Sequence, residues 1–313
     1  MMSSSPQQKV ETALIVRPMS VFTGAEIFGV DLKQPLSANT VREIRSALLR
    51  WKVVFFRDQH IDHAQHVAFA RAFGQPTIGH VLYGHEPGFP EIYSVAKRRE
   101  RHTHLEPDPI RPWTGWHTDL TTVLNPPFAS ILRGVTMPPF GGDTQFTNLA
   151  AAYNALSATL RGFLDTLRGV HGYGKVTTGA LKETSRQSFT TEHPLIRVHP
   201  ETGERVLYVS PAFLRKIVGL TARESQSLLE LLWEHCVRPE FVARFRWNAG
   251  DIAMWDNRAT AHLAPEDIFE TDFERQLYRI TLVGDVPVGV DGTASTPIVG
   301  GMLGPVEAAQ AEQ

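Results

Sequence analysis

Apolar and polar positions along this chain fall into two rhythms, a strand's period of two and a helix's period of 3.6, and their order predicts the architecture. Short apolar runs at 13–16 and 25–32 flank a Thr23-Gly24 turn. Thr40-x-x-Glu43 reads as a capping box, with Val41, Ile44, Leu48 and Leu49 at helical spacing behind it, which predicts a helix over about 41–51. Lys52-Val53-Val54-Phe55-Phe56 has the β-branched and aromatic make-up of a buried strand. Asp62 as N-cap predicts a second helix running to Phe73 and closed by Gly74. Further on, strands are predicted over 128–135 and 145–147, helices over 150–156 and 158–167, and a strand pair over 193–198 and 205–209 about the turn Pro200-Glu201-Thr202-Gly203. A capping box Thr221-x-x-Glu224 heads an amphipathic helix over 225–236. In the last third, 245–247 and 252–255 read as a hairpin around Asn248-Ala249-Gly250-Asp251, followed by a loop holding His262. Along 275–282, Arg275, Leu277, Arg279 and Thr281 share one face of a strand. Strand–helix alternation stops after the second helix, so the pattern predicts an α+β, mainly β domain rather than a doubly wound sheet.

Two intervals break the rhythm. Residues 75–115 are rich in Pro, Gly, His and Arg, and 172–192 in Gly, Thr and Ser with mixed charge. Irregular stretches this long inside a compact domain are usually functional, which predicts lid loops near 76–115 and 172–192 of a single domain spanning 13–292. A polar tail, 1–12, precedes it and a small-residue tail, 293–313, follows it. Composition narrows the function more by exclusion than by choice. The 313 residues are 42% hydrophobic and 20% charged with a net charge of −2, ordinary for a globular chain and without the basic footprint of a nucleic-acid or anionic-membrane binder. One cysteine, Cys236, excludes a disulfide framework, and neither an apolar leader nor a spanning run is present. A cytoplasmic protein with no membrane and no nucleic-acid partner is the expectation.

Chemistry gathers at Gly115-Trp116-His117-Thr118-Asp119. On an extended strand His117 and Asp119, two apart, project to the same side, and the distant His262 completes a set of two imidazoles and one carboxylate. That set leaves positions open on a non-heme Fe(II). His60-Ile61-Asp62, His104-Leu105-Glu106 and His199-Pro200-Glu201 carry the same tripeptide pattern, but in a helix start, a charged loop and a hairpin turn. Two arginines on one face of an apolar strand, Arg275 and Arg279, call for anionic partners, either a ligand or nearby Asp272 and Glu274. His80, Tyr83 and Trp113, within the first lid, are placed to reach a ligand.

Taken in order, Trp116-His117-Thr118-Asp119, Gly141-Gly142-Asp143-Thr144, the run from Trp255 to His262 and Arg275-x-x-x-Arg279 resemble the taurine dioxygenase and phenoxyacetate-herbicide dioxygenase family of Fe(II)/2-oxoglutarate enzymes. The match runs in register over about 13–290, and segments 197–205 and 284–292 look most like its alkylsulfatase and alkylsulfonate-cleaving branch. The resemblance implies a double-stranded β-helix, or jelly-roll barrel, with helices on one side. It implies His117, Asp119 and His262 as iron ligands. Arg275 and Thr144 would receive the far carboxylate of 2-oxoglutarate beside Trp255, with O2 as the second cosubstrate. Arg279, His80 and Tyr83 would hold a small anionic organic substrate. Trp113 stands where the taurine enzymes place a small polar residue, which favours a larger apolar tail. The implied reaction hydroxylates a carbon bearing sulfate or sulfonate, giving an aldehyde and the sulfur oxyanion with succinate and CO2. A homodimer or homotetramer is implied as well. Left open are an aryloxyalkanoate or other carboxylate substrate, a zinc hydrolase on the same ligands, and a non-catalytic anion-binding barrel.

Overall fold

The computed structural model describes residues 14–80, 84–96, 111–173 and 189–311. The 1–12 tail, Tyr83 and the central parts of both expected lids lie outside the described residues. In chain order the strands are β1 Ile15–Pro18, β2 Ala25–Phe28, β3 Val53–Phe56, β4 Tyr93–Ala96, β5 Ala129–Thr136, β6 Thr144–Asn148, β7 Arg168–Gly172 and β8 Thr190–Pro194. They continue as β9 Ile196–Val198, β10 Arg205–Leu207, β11 Leu214–Ile217, β12 Val242–Phe245, β13 Ile252–Asp256, β14 Thr260–Leu263, β15 Gln276–Leu282 and β16 Thr296–Val299. The helices are α1 Ala38–Trp51, α2 His63–Arg71, α3 Leu149–Asn154, α4 Ala158–Leu164, α5 Ala222–Cys236 and α6 Val306–Ala311.

The strands form a mostly β structure of four sheets, ordered β1-β2-β3-β13-β5-β15-β4, β12-β6-β14, β11-β7-β8-β16 and β10-β9, none of which closes on itself. The seven-stranded sheet is the spine. Its period of two explains why β3 is apolar at every position. Val54 and Phe56 join Ile131, Ile252, Met254, Ile280 and Leu282 on the face covered by Ile44 and Leu48 of α1 and Phe69 of α2. Val53 and Phe55 join Leu132, Ala253, Trp255 and Leu277 on the other face, against Phe146 and Phe245 of the three-stranded sheet. A strand buried on both faces needs no polar alternation. A further apolar layer of α3, α5 and β9–β11 packs on the outer side of β14 through Ala259 and Ala261.

Several expectations change. The helix expected from a Thr40 box begins one turn earlier, because Ser37 caps it by accepting from the Thr40 amide at 3.1 Å. Asp62 and Thr221 cap α2 and α5 as expected, and Asp62, expected only as an N-cap, forms a full capping box with Gln65 as Thr221 does with Glu224. The hairpin expected across 245–255 does not form: β12 pairs with β6, while β13 pairs with β3 and β5. The turn at Asn248–Asp251, with Gly250 at φ 87, carries the chain from one sheet to the other. His262 sits not in a loop but in β14, paired to Phe146 of β6. The segment expected as a C-terminal tail is built into the fold. β16 pairs with β8, Asn125 exchanges hydrogen bonds of 2.9 and 2.7 Å with the Leu303 backbone, and the Val306 amide donates to Pro76 O at 2.9 Å.

Candidate functional site

A strand and a loop bridged to it bring the metal-binding set together. β14 carries His262, and a single antiparallel bridge holds His117 beside it, with His117 N donating to His262 O at 2.9 Å and His262 N to His117 O at 2.7 Å. The strand expected to carry both His117 and Asp119 stops at that bridge. Asp119 lies in the turn that follows, with Leu120 at φ 48, so a turn rather than strand alternation swings the carboxylate back toward the imidazoles. Asp119 Oδ1 ends 4.0 Å from His117 Nε2 and 4.0 Å from His262 Nε2, and the three donor atoms lie within 4.8 Å of one another.

The protonation states suit a metal. The His117 Nδ1–H donates to Gly115 O at 3.0 Å, which leaves the Nε2 lone pair facing the gap. Burial above all, with the neighbouring His117 imidazole acting in the same direction, pushes His262 down to about 3, so its imidazole is neutral, as a ligand must be. Burial alone would raise Asp119, but the Arg279 guanidinium, the two histidines and a hydrogen bond from Ser130 outweigh it and hold the carboxyl well below its usual range. Two neutral nitrogens and one carboxylate around an open gap fit a first-row divalent ion, Fe(II) among them.

The carboxylate is gripped from behind. Ser130 Oγ, pointing inward from β5, donates to Asp119 Oδ2 at 2.6 Å and accepts from Asn257 Nδ2 at 2.9 Å. Asn257 Oδ1 in turn accepts from Trp255 Nε1 at 2.9 Å, and the Trp255 ring lies 4.8 Å from that of His262. Trp255 therefore braces one ligand by contact and another through a relay of three hydrogen bonds. The turn between β13 and β14 is pinned by a buried ion cluster. Arg258 binds both oxygens of Asp256 at 2.8 and 2.7 Å, His199 Nε2 meets the same carboxylate at 3.0 Å, and Glu201 accepts from Arg258 at 2.6 Å.

The two arginines find different partners: Arg279 a carboxylate, Arg275 a backbone carbonyl. Arg279 Nη1 donates to Asp119 Oδ1 at 2.7 Å. Tyr93, its direct cross-strand neighbour on β4, places its ring 5.4 Å from the guanidinium and 4.8 Å from the His80 ring. Burial, then Arg279, lowers His80 to about 4. Arg275 precedes β15, is buried, and donates from Nε to Gly142 O at 3.0 Å. Gly142 is at φ 66, and a Cβ there would meet Arg275 Cδ at 2.9 Å, so only glycine lets the turn lie this close. The neighbouring Thr144 hydroxyl accepts from Trp247 Nε1 at 2.9 Å, which leaves its own proton to donate. Burial lowers Arg275 to about 10, with Asp143 and Asp267 acting against it.

Trp113 packs on Trp233 of α5 with ring centroids 6.1 Å apart, in the helix-side core. Sequence reasoning gave no role to Ser130, Tyr93, Trp247 or Phe213, whose ring sits 6.4 Å edge-on to His117. Ser130 carried a faint signal, a lone hydroxyl inside the apolar run of β5.

A model of the taurine catabolism dioxygenase TauD, TfdA family matches residues 15–281. The chain is 42% identical over 296 residues to an alpha-ketoglutarate-dependent sulfate ester dioxygenase of Pseudomonas putida, covering 90% of this chain and 93% of that one. It is 35% identical over 301 residues to an alkylsulfatase of Acinetobacter baylyi, covering 92% and 89%. A crystal structure described as a taurine dioxygenase from Burkholderia xenovorans superposes with a TM-score of 0.82 at 60% identity, over 92% of this chain and 97% of that one.

Proposed function

Because the chain belongs to the TauD, TfdA family and is an Fe(II)- and 2-oxoglutarate-dependent dioxygenase, we propose that its prime substrate is an alkyl sulfate ester or alkylsulfonate. The observation that carries the reading is Arg279, a guanidinium 2.7 Å from the ligand carboxylate and flanked by Tyr93 and His80, because it sets a cation for an anionic head group beside the metal set. The 42% identical relative acting on sulfate esters supports the choice of anion.

In this assignment His117, Asp119 and His262 hold Fe(II), and Arg275 with the Thr144 hydroxyl receives the distal carboxylate of 2-oxoglutarate. When bound, the iron with 2-oxoglutarate and O2 supplies the oxidation that hydroxylates the substrate carbon, with succinate and CO2 as by-products. The chain's own work is to orient and to keep water out. Ser130 and Trp255 fix the ligands, Arg279 and His80 hold the sulfur oxyanion, and the Phe213 ring borders the metal side. A hydroxyl on a carbon that bears sulfate collapses to an aldehyde and free sulfate, so the chain need supply no general base. Tyr83 stays in the substrate assignment by resemblance. Trp113, packed on Trp233, is assigned to the framework.

The wider reading is a double-stranded β-helix core, supported by the facing seven- and three-stranded sheets, within a single domain. It includes a cytoplasmic location, supported by one buried free cysteine, and a homodimer or homotetramer, which light scattering decides. No described helix is long and apolar enough to cross a membrane. The deciding experiment supplies Fe(II), 2-oxoglutarate and O2 with an alkyl sulfate, an alkylsulfonate, taurine or an aryloxyacetate in turn, and measures succinate with sulfate or sulfite. Matched succinate and sulfate from the alkyl sulfate is the expected result. Turnover of the aryloxyacetate alone overturns the substrate class.

A further inference from the structure

Arg275 is a buried guanidinium with two carboxylates in its field, yet none of the ion pairs among the described residues includes it. Both acids are bound elsewhere. Arg244, on β12, donates from Nε to Asp143 Oδ2 at 2.6 Å and from Nη2 to Asp267 Oδ2 at 3.3 Å. Asp267 Oδ1 also accepts from the Gly142 amide at 3.4 Å, the residue whose carbonyl holds Arg275 Nε. The other oxygen of Asp143, Oδ1, is buried without a hydrogen-bond partner. An orphaned carboxylate oxygen beside a buried guanidinium that it does not pair with is an arrangement the rest of the site must enforce, because each group would gain by joining the other.

We propose that Arg244 is a positioning residue for the cosubstrate. It keeps Asp143 and Asp267 on its own side of the Gly141-Gly142 turn, so that the Arg275 guanidinium stays open to an incoming dicarboxylate. The inference rests on the assignment of Arg275 as the clamp for 2-oxoglutarate. Without Arg244, Asp143 rotates toward Arg275 and the cosubstrate must first break that pair. Arg244 itself touches neither cosubstrate nor metal in this scheme; it acts by occupying a competitor.

The test is calorimetric binding of N-oxalylglycine, an inert 2-oxoglutarate mimic, to the Mn(II)-loaded full chain, which reads affinity without turnover. Arg244→Ala is expected to weaken binding roughly tenfold, the cost of one charged hydrogen-bonded pair. The loss should persist in about 0.5 M salt, where a mere change in long-range field is screened away. Adding Asp143→Asn to Arg244→Ala should restore most of the affinity, while Asp143→Asn alone binds at least as well as wild type. Arg244→Lys, which keeps the charge but cannot bridge both acids, gives an intermediate loss and serves as the readout if the alanine variant does not fold. An Arg244→Ala protein that binds like wild type, a loss that disappears at high salt, or a double variant without recovery overturns the proposal. Arg275→Ala separates the two claims: if it leaves affinity unchanged the clamp assignment itself fails, whereas a large loss there with none at Arg244 defeats only the positioning role.

Discussion

Replacing Ser130 by alanine probes how the metal site is held. The hydroxyl is fully buried, donates to Asp119 Oδ2 at 2.6 Å and accepts from Asn257 at 2.9 Å. Its removal leaves a carboxylate oxygen and an amide hydrogen without partners, worth about 1–3 kcal/mol of folding stability. Two routes to weaker metal binding are conceivable, a raised Asp119 pKa or a loosened carboxylate. The first is small, because among the groups that lower the Asp119 pKa Ser130 contributes least and Arg279 most. Asp119 therefore stays ionised in the variant, and the effect is one of orientation: Oδ1, 4.0 Å from each imidazole nitrogen, is no longer fixed by its partner oxygen. Loss of such an outer hydrogen bond to a ligand weakens metal binding about 10–100-fold, or roughly 1.4–2.7 kcal/mol. Chelator competition for Mn(II), at pH 7 and again at pH 8, measures it. The expected loss is the same at both values. Unchanged affinity in a folded variant refutes the bracing role, and a loss that vanishes at the higher pH shows protonation, not orientation, at work.

Other consequences follow from the same contacts. Arg258→Met leaves the fully buried Asp256 carboxylate without its guanidinium, held only by His199 and the amide of residue 258, and should cost about 3–5 kcal/mol in urea unfolding, a destabilisation that Asp256→Asn in the same chain relieves. Burial lowers both His66 and His193 to about 3 from an unfolded value of 6.5, so the stability they contribute is complete above pH 6.5 and is lost as pH falls toward 3. Each removes about 1.4 kcal/mol per pH unit within that window, and urea midpoints at pH 7 and 5.5 that coincide would contradict it. Tyr93→Ala removes the ring between Arg279 and His80 and should raise KM for the sulfate ester severalfold with KM for 2-oxoglutarate unchanged; equal increases in both would remove Tyr93 from the substrate side.

The ligand types were legible in the chain because coordination chemistry demands them: two histidines, an aspartate and spaced arginines are uncommon enough in order to stand out. Much of the secondary structure was legible for a local reason, since Asp62 and Thr221 cap their own helices within three residues. What stayed hidden depends on distant partners. Nothing local says that Phe245 will pair with Thr144 and Ile252 with Phe56 and Arg133, so a four-residue turn passed for a hairpin. The same limit hid β14, whose strand character comes from β6, more than a hundred residues earlier in the chain. Ser130, Tyr93 and Arg244 are ordinary residues locally and acquire meaning only from Asp119, Arg279 and Asp143, which the fold places opposite them.

The division of the ligands between sheets has a mechanical side. His262 rides on the three-stranded sheet, whereas Asp119 is gripped by Ser130 and Arg279 of the seven-stranded one, and the two sheets share no strand. An ion held by both is a rivet driven through the layers. With the metal removed the smaller sheet keeps to the spine through the apolar contacts of Phe146 and Phe245, and hydrogen exchange is expected to find its amides in β6 and β14 opening ahead of those of the spine. With the ion in place the two layers are expected to open together, which slowed exchange in β6 and β14 would show, and the supply of metal then sets how much of this molecule behaves as one piece.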